Sequence, residues 1–188
     1  MTGESWIDLQ CHPSTRTDAV RAIQVLVRRS AGAELQITFR LDGDIPRIIV
    51  SPPGVPRFAK ELWRHTCFEA FIAIEGQPAY HEFNFAPSGE WAVYAFRRYR
   101  NGGPVADEAM RPNTAIRSTA NRLELDALVR LDSMSAIHQR ASLRIGLSAV
   151  IETSDGLSYL ALRHPKDKPD FHHAGGFALL LEPPGPEE

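Results

Sequence analysis

The sequence predicts an all-β protein, an antiparallel β-sandwich or jelly roll with one or two short helical turns. Three observations carry that expectation. Apolar and polar residues alternate over many short runs, the pattern of strands that bury one face. Turn-forming residues separate the runs at intervals too short for crossover helices, which excludes a parallel α/β arrangement. Helical periodicity is weak along the whole chain. The 188 residues are 43% hydrophobic, enough for the core of one ordinary domain. No linker rich in serine or glycine divides them, so we expect a single β-sandwich over residues 1–188 with a frayed, proline-rich tail at 183–188.

Ile23, Val25 and Val27 alternate with Gln24, Leu26 and Arg28, and the turn over residues 30–33 ends that strand. Leu35, Ile37, Phe39 and Leu41 alternate cleanly up to Asp42-Gly43-Asp44, and residues 45–50 form a third expected strand, closed by Ser51-Pro52-Pro53-Gly54. Residues 57–62 suggest one helical turn. Strands follow at 67–74, 79–85 and 91–96, with turns at Glu75-Gly76-Gln77-Pro78 and Pro87-Ser88-Gly89-Glu90, as hairpins require. Residues 115–119 and 122–129 flank Ala120-Asn121. A second helical turn is expected at 131–139, then strands at 142–151, 158–163 and 177–181, with Asp155-Gly156 as a tight turn.

Composition narrows the function classes. The net charge of −2 gives no basic excess, so nucleic acid and anionic membrane are not expected partners. No apolar run reaches 18 residues, and no transmembrane helix is expected. Arg97, Arg98 and Arg100 read as solvated arginines at a strand end. The first residues are polar and lack a hydrophobic signal core, which makes the cytoplasm the expected location and free thiols the expected state of Cys11 and Cys67. The sequence carries no signal for oligomeric state.

The richest stretch runs from Leu62 to Tyr99. There, carboxylates, an amide and aromatics stand where a half-buried sheet ordinarily carries aliphatics. Glu69, Glu82 and Asn84 are candidate hydrogen-bonding groups for a ligand, and Trp63, Trp91, Tyr94 and Tyr99 are candidate stacking plates. Against this stands a structural reading. The tryptophans can fill the core, and the acids can pair with Arg64, Arg97 or Arg163. Residues 163–173, RHPKDKPDFHH, form a histidine-rich loop stiffened by two prolines. Its spacing matches no metal-ligand pattern, and a loop packed over one end of the sandwich, with Asp170 bonding backbone amides or Arg163, explains the same residues. Arg163 and His164 then close the rim of the site; if the loop borders the sheet, His172 joins them.

Three segments, LWRHTCFEAFI, YHEFNFAPSGEWAVY and YLALRHPKDKPDFHH, resemble the DOMON-like ligand-binding superfamily. That group includes family 9 carbohydrate-binding modules and the cytochrome domains of some secreted dehydrogenases. The resemblance is to its small stand-alone bacterial members. It implies a jelly-roll sandwich whose concave sheet binds a sugar or a haem. The leading reading is therefore a non-catalytic module for a carbohydrate or sugar-containing metabolite, with no cofactor required. Three alternatives stay open. Glu69 and Glu82 can form a glycosidase pair. A haem needs two axial ligands, with His81, His164, Met110 and Met134 as the candidates. An exposed sheet can dock on a partner protein.

Overall fold

The computed structural model describes residues 5–185; the last three residues of the expected tail lie outside them. Among the described residues the strands are β1 (Ile7–Asp8), β2 (Gln10–Cys11), β3 (Val20–Arg29), β4 (Glu34–Gly43), β5 (Cys67–Ile74), β6 (Tyr80–Phe85) and β7 (Trp91–Arg98). They continue with β8 (Asn101–Pro104), β9 (Asn113–Ser118), β10 (Arg122–Arg130), β11 (Leu143–Thr153), β12 (Gly156–Ala161) and β13 (Leu179–Leu181). All helical elements are short 3-10 turns. The protein is all-β.

Two antiparallel sheets face each other. One has the strand order β1-β3-β4-β10-β9; the other runs β2-β12-β11-β5-β6-β7-β8, with β13 pairing the far end of β11. Alternation explains which side each strand buries. Leu35, Ile37, Phe39 and Leu41 of β4 turn inward with Leu123, Leu125, Ala127 and Val129 of β10. From the opposite sheet Phe68, Ala70, Ile72, Phe83 and Phe85 meet them. Phe39 packs on Phe68 at a ring-centroid distance of 5.1 Å. Rings buried this fully cost ~3–5 kcal/mol each on truncation to alanine, so this seam dominates stability.

Strand β5 is buried on both faces, and so reads as a continuous apolar run with one acid in it. The β5–β6 hairpin turns at Gly76 (φ 78°) and the β6–β7 hairpin at Gly89 (φ 89°), backbone that glycine adopts without steric cost. These two hairpins set the register of the three strands that carry the candidate acids Glu69 and Glu82 (β5 and β6) and Tyr94 (β7).

Four local expectations are corrected. Residues 45–50 do not form a strand: Pro46 lacks an amide donor, Ile45–Arg47 closes into a 3-10 turn, and Ile48 makes one isolated bridge to Thr153. Residues 57–61 do not form a helical turn: Phe58 is bridged to Trp91, Glu61 is left-handed (φ 60°), and the 3-10 turn lies at Leu62–Arg64 instead. Residues 131–140 make successive turns rather than a helix. Phe177 precedes the last strand and follows a 3-10 turn at Ala174–Gly176.

Candidate functional site

Register decides which side chains share the outer face of the larger sheet. Glu69 stands opposite Asn84, and Phe71 opposite Glu82. Glu82 in turn faces Tyr94, and Tyr80 faces Phe96. On the other side of β5, Ser148 of β11 stands opposite Glu69. Side chains two residues apart share a face, so the two acids, the amide and Tyr94 all emerge on the side away from the core. The acids are diagonal neighbours on adjacent strands, with backbones ~7–8 Å apart.

A cavity of about 650 Å³ lies over this face. Glu69 and Glu82 line it although they are only 2% and 4% exposed. Trp63, Tyr94, Phe96, Tyr159 and Phe171 supply aromatic walls, and Arg100, Lys168, Asp170 and His172 complete the lining. Gly102, Gly103 and Pro104 of β8 form one side. At Gly102 a Cβ would stand 2.0 Å from the Ala95 carbonyl oxygen, so only glycine permits this approach of β8 to β7.

The acids are bonded by neutral groups. The Ser148 hydroxyl donates to Glu69 Oε2 (3.3 Å). The Asn84 amide donates to Glu82 Oε1 (2.7 Å) and itself accepts from the Cys67 thiol (3.5 Å). Among the described residues no lysine or arginine forms an ion pair with either acid; the nearest charged-type contact is His172 Nε2 to Glu82 Oε2 at 3.5 Å. Burial pushes the Glu69 carboxyl well above the ordinary carboxylate range, and the neighbouring Glu82 charge pushes it further. Burial raises Glu82 to about 7, against the opposing pull of the Asn84 bond and the Arg100 charge. At neutral pH the pair therefore holds at least one proton between them.

His172 is fixed by a chain of bonds. The Arg100 backbone N–H donates to the Tyr80 hydroxyl (3.1 Å), and that hydroxyl is hydrogen-bonded to His172 Nδ1 (2.8 Å). The other ring nitrogen, Nε2, stands 3.5 Å from Glu82 Oε2. Burial, with the Arg100 charge, lowers His172 to about 4, so the ring is neutral at pH 7 and does not neutralise the acid. Asp170 holds the loop in place. It accepts from the Tyr99 hydroxyl (2.7 Å), the Arg100 guanidinium (2.8 Å) and the His172 backbone N–H (3.2 Å).

The structure divides the eight sequence-derived candidates. Glu69, Glu82, Trp63 and Tyr94 line the cavity. Asn84 shares their face but is fully buried beneath Glu82 and acts on it through the hydrogen bond. Trp91 lies on the opposite side, 1% exposed between the sheets and edge-on to Phe58 at 5.4 Å. It stands three residues from Tyr94, and odd spacing in a strand inverts the face. Arg163 and His164 do not line the cavity: Arg163 is exposed beyond the end of β12, and His164 Nε2 bonds the Gln10 carbonyl (2.8 Å) with its ring edge-on to His12. Tyr99 acts on the cavity through Asp170.

Beyond the eight, Phe96, Arg100, Tyr159, Phe171 and His172 are among the residues that line the cavity. Period-two alternation from Tyr94 reaches Phe96 directly, whereas Arg100 sits in a left-handed turn (φ 52°) that no local pattern announces.

The residues do not fit a haem or a metal. His172 lines the cavity, but His81 points to the other side of β6, towards His138, and Met110 is a core residue with Met134 packed against that core. His173 caps its own 3-10 turn, accepting from the Gly175 N–H. Among the described residues no group of three or more His, Cys, Asp or Glu side chains is placed to hold a metal ion.

No protein-family model matches the sequence. No curated protein matches it either. Solved structures do match. A proposed carbohydrate-binding protein from Bacteroides uniformis superposes with a TM-score of 0.67 at 13% identity, over 93% of this chain and 84% of that one. A family 9 carbohydrate-binding module from Caldicellulosiruptor kristjanssonii in complex with cellotriose gives 0.54 at 8% identity, over 93% and 76%. A family 9 carbohydrate-binding module from the same organism in complex with glucose gives 0.55 at 10% identity, over 93% and 78%. The fold is thus that of carbohydrate-binding modules.

Proposed function

We propose that this protein binds a carbohydrate or a sugar-containing metabolite, without breaking a bond in it, in the cavity over the larger sheet. The observation that carries the reading is a pair of buried carboxyls, Glu69 and Glu82, with no lysine or arginine ion pair among the described residues, opening into a space walled by aromatic rings. Sugars present apolar C–H faces and outward hydroxyls, and a site for them needs flat rings plus a few fixed polar groups. Trp63 and Tyr94 serve as plates. Glu82, backed by Asn84, accepts from hydroxyls, and neutral Glu69 both donates and accepts. The fold shared with modules bound to cellotriose and glucose supports the saccharide class. Kinship with the DOMON-like group belongs to this proposal, as does residence in the cytoplasm, which the two free thiols suit.

The test is thermal unfolding with glucose, cellotriose and a panel of other saccharides. A ligand at ~100 times its Kd stabilises the native state by about 2.7 kcal/mol, a rise of ~5 °C or more for a chain of this size. We expect such a rise with at least one saccharide, no release of reducing ends, and a smaller rise in Glu82→Gln. No shift with any saccharide contradicts the reading, and turnover replaces it with hydrolysis.

A further inference from the structure

We infer that the preferred ligand carries an ammonium group, an amino sugar with its amine free, and that Glu69 and Glu82 receive that group. The inference rests on the saccharide reading and names the substrate class of the same cavity.

Charge balance inside the cavity is the first argument. Of the acids lining it, Asp170 is fully engaged by Tyr99, Arg100 and the His172 backbone. Arg100, the one guanidinium in the lining, is spent on Asp170 and on the Tyr99 hydroxyl (3.3 Å). Lys168 lies in solvent at the mouth. Glu69 and Glu82 remain, nearly fully buried and bonded only by a hydroxyl, an amide and a neutral imidazole. Buried acids ordinarily come with a compensating cation, because an isolated carboxylate is costly to desolvate. Here a cationic ligand supplies that compensation. The charge at the mouth is screened by water, whereas the acids act in a medium of lower dielectric, so the acids set the ligand's sign.

The walls are the second argument. Five aromatic side chains, Trp63, Tyr94, Phe96, Tyr159 and Phe171, surround the space above the acids. Ring faces attract cations through their quadrupoles, most strongly where water is excluded. They also stack on pyranose C–H faces. A neutral hexose uses only the second property; a hexosamine uses both.

The state of the free site agrees with this reading. Both carboxyls sit above their ordinary range because burial disfavours their charged forms, and the Glu82 charge raises Glu69 further. An ammonium placed between them supplies that partner and releases the shared proton to solvent.

The experiment compares glucose, glucosamine and N-acetylglucosamine by titration calorimetry at about pH 6.5, where a primary amine is protonated. Glucose keeps the size and removes the charge, and the acetylated sugar removes the charge while keeping the nitrogen. Glucosamine is expected to bind about 10- to 100-fold more tightly than either neutral sugar, as befits a charge-assisted bond. Glu69→Gln and Glu82→Gln should each reduce that preference to within threefold while retaining the native thermal transition. Equal binding of all three sugars by the wild type overturns the ammonium assignment and leaves the saccharide reading standing. Binding of none overturns both.

Discussion

Glu82 is the residue whose chemistry can be read out most directly. Its carboxyl sits at about 7 in the folded protein against an ordinary 4.5, because burial disfavours the charge. Between those pH values the native state holds a proton that the unfolded chain has released, so this contribution falls as pH rises. It is fully present below about pH 4.5, is lost as pH passes about 7, and amounts to about 3 kcal/mol at most. His172 and His138, both lowered to about 4 chiefly by burial, act in the opposite sense, since their contribution is lost as pH falls from 6.5 towards 4. The two trends oppose each other in the wild type between about pH 4.5 and 6.5. Glu82→Gln removes one of them. The variant should exceed the wild type by about 1–3 kcal/mol in urea denaturation at about pH 8, and by close to nothing at about pH 5. A variant less stable than the wild type at the higher pH contradicts the claim that this acid lacks a partner. At this scale the acids, the amide and Tyr94 were legible as one face because even spacing within β6 and cross-strand pairing keep them together. Trp91 was misplaced for want of the same parity rule.

At the scale of elements, the segment between β12 and β13 decides how closed the cavity is. It lies across one end of the sheet, tied by Asp170 to the turn between β7 and β8 and by Phe177 stacked on Phe71 (5.5 Å). Gly146 of β11 makes room for that stack, since a Cβ there would stand 2.7 Å from a Phe177 ring carbon and 3.2 Å from the Phe71 Cβ. Gly146→Ala should displace Phe177, cost about 1–3 kcal/mol and loosen this segment more than the β11 ladder. Faster amide exchange at His173, Gly176 and Phe177, with β11 unchanged, is the expected signature; unchanged exchange throughout contradicts the anchoring role. The sequence showed this segment as a proline-stiffened loop over one end of the sandwich, with Asp170 as its tie. The tying arginine is Arg100, not Arg163, because a left-handed residue after β7 turns it back over the loop. Strands β1, β2 and β8 went unread for a physical reason: two are two residues long, and β8 is the glycine-rich Asn101–Pro104, so none has a period to detect.

At the scale of the whole molecule the two outer faces differ in kind. On the smaller sheet, Arg40 pairs with Glu124, Arg117 with Glu124 and Asp126, and Arg122 with Asp42, while Arg40 also covers the Trp6 ring at 3.8 Å. Charges there are matched and solvated. On the larger sheet the acids are buried and unmatched, and only that face carries the cavity they line. Fold class followed from alternation and turn spacing, but which strands pair did not. Strand β4 lies beside β10 and β5 beside β11, partners some seventy to ninety residues apart, and local pattern says nothing of such contacts. The three tryptophans sample the molecule separately: Trp6 on the smaller sheet's outer side, Trp91 between the sheets, and Trp63, 43% exposed, at the cavity. Their indole N–H signals in a nitrogen–proton correlation spectrum, followed during a glucosamine titration, report directly where the ligand sits. We predict that the Trp63 signal moves with saturation while those of Trp6 and Trp91 hold still; movement of Trp6 with Trp63 unmoved would place the ligand on the other face and contradict the account.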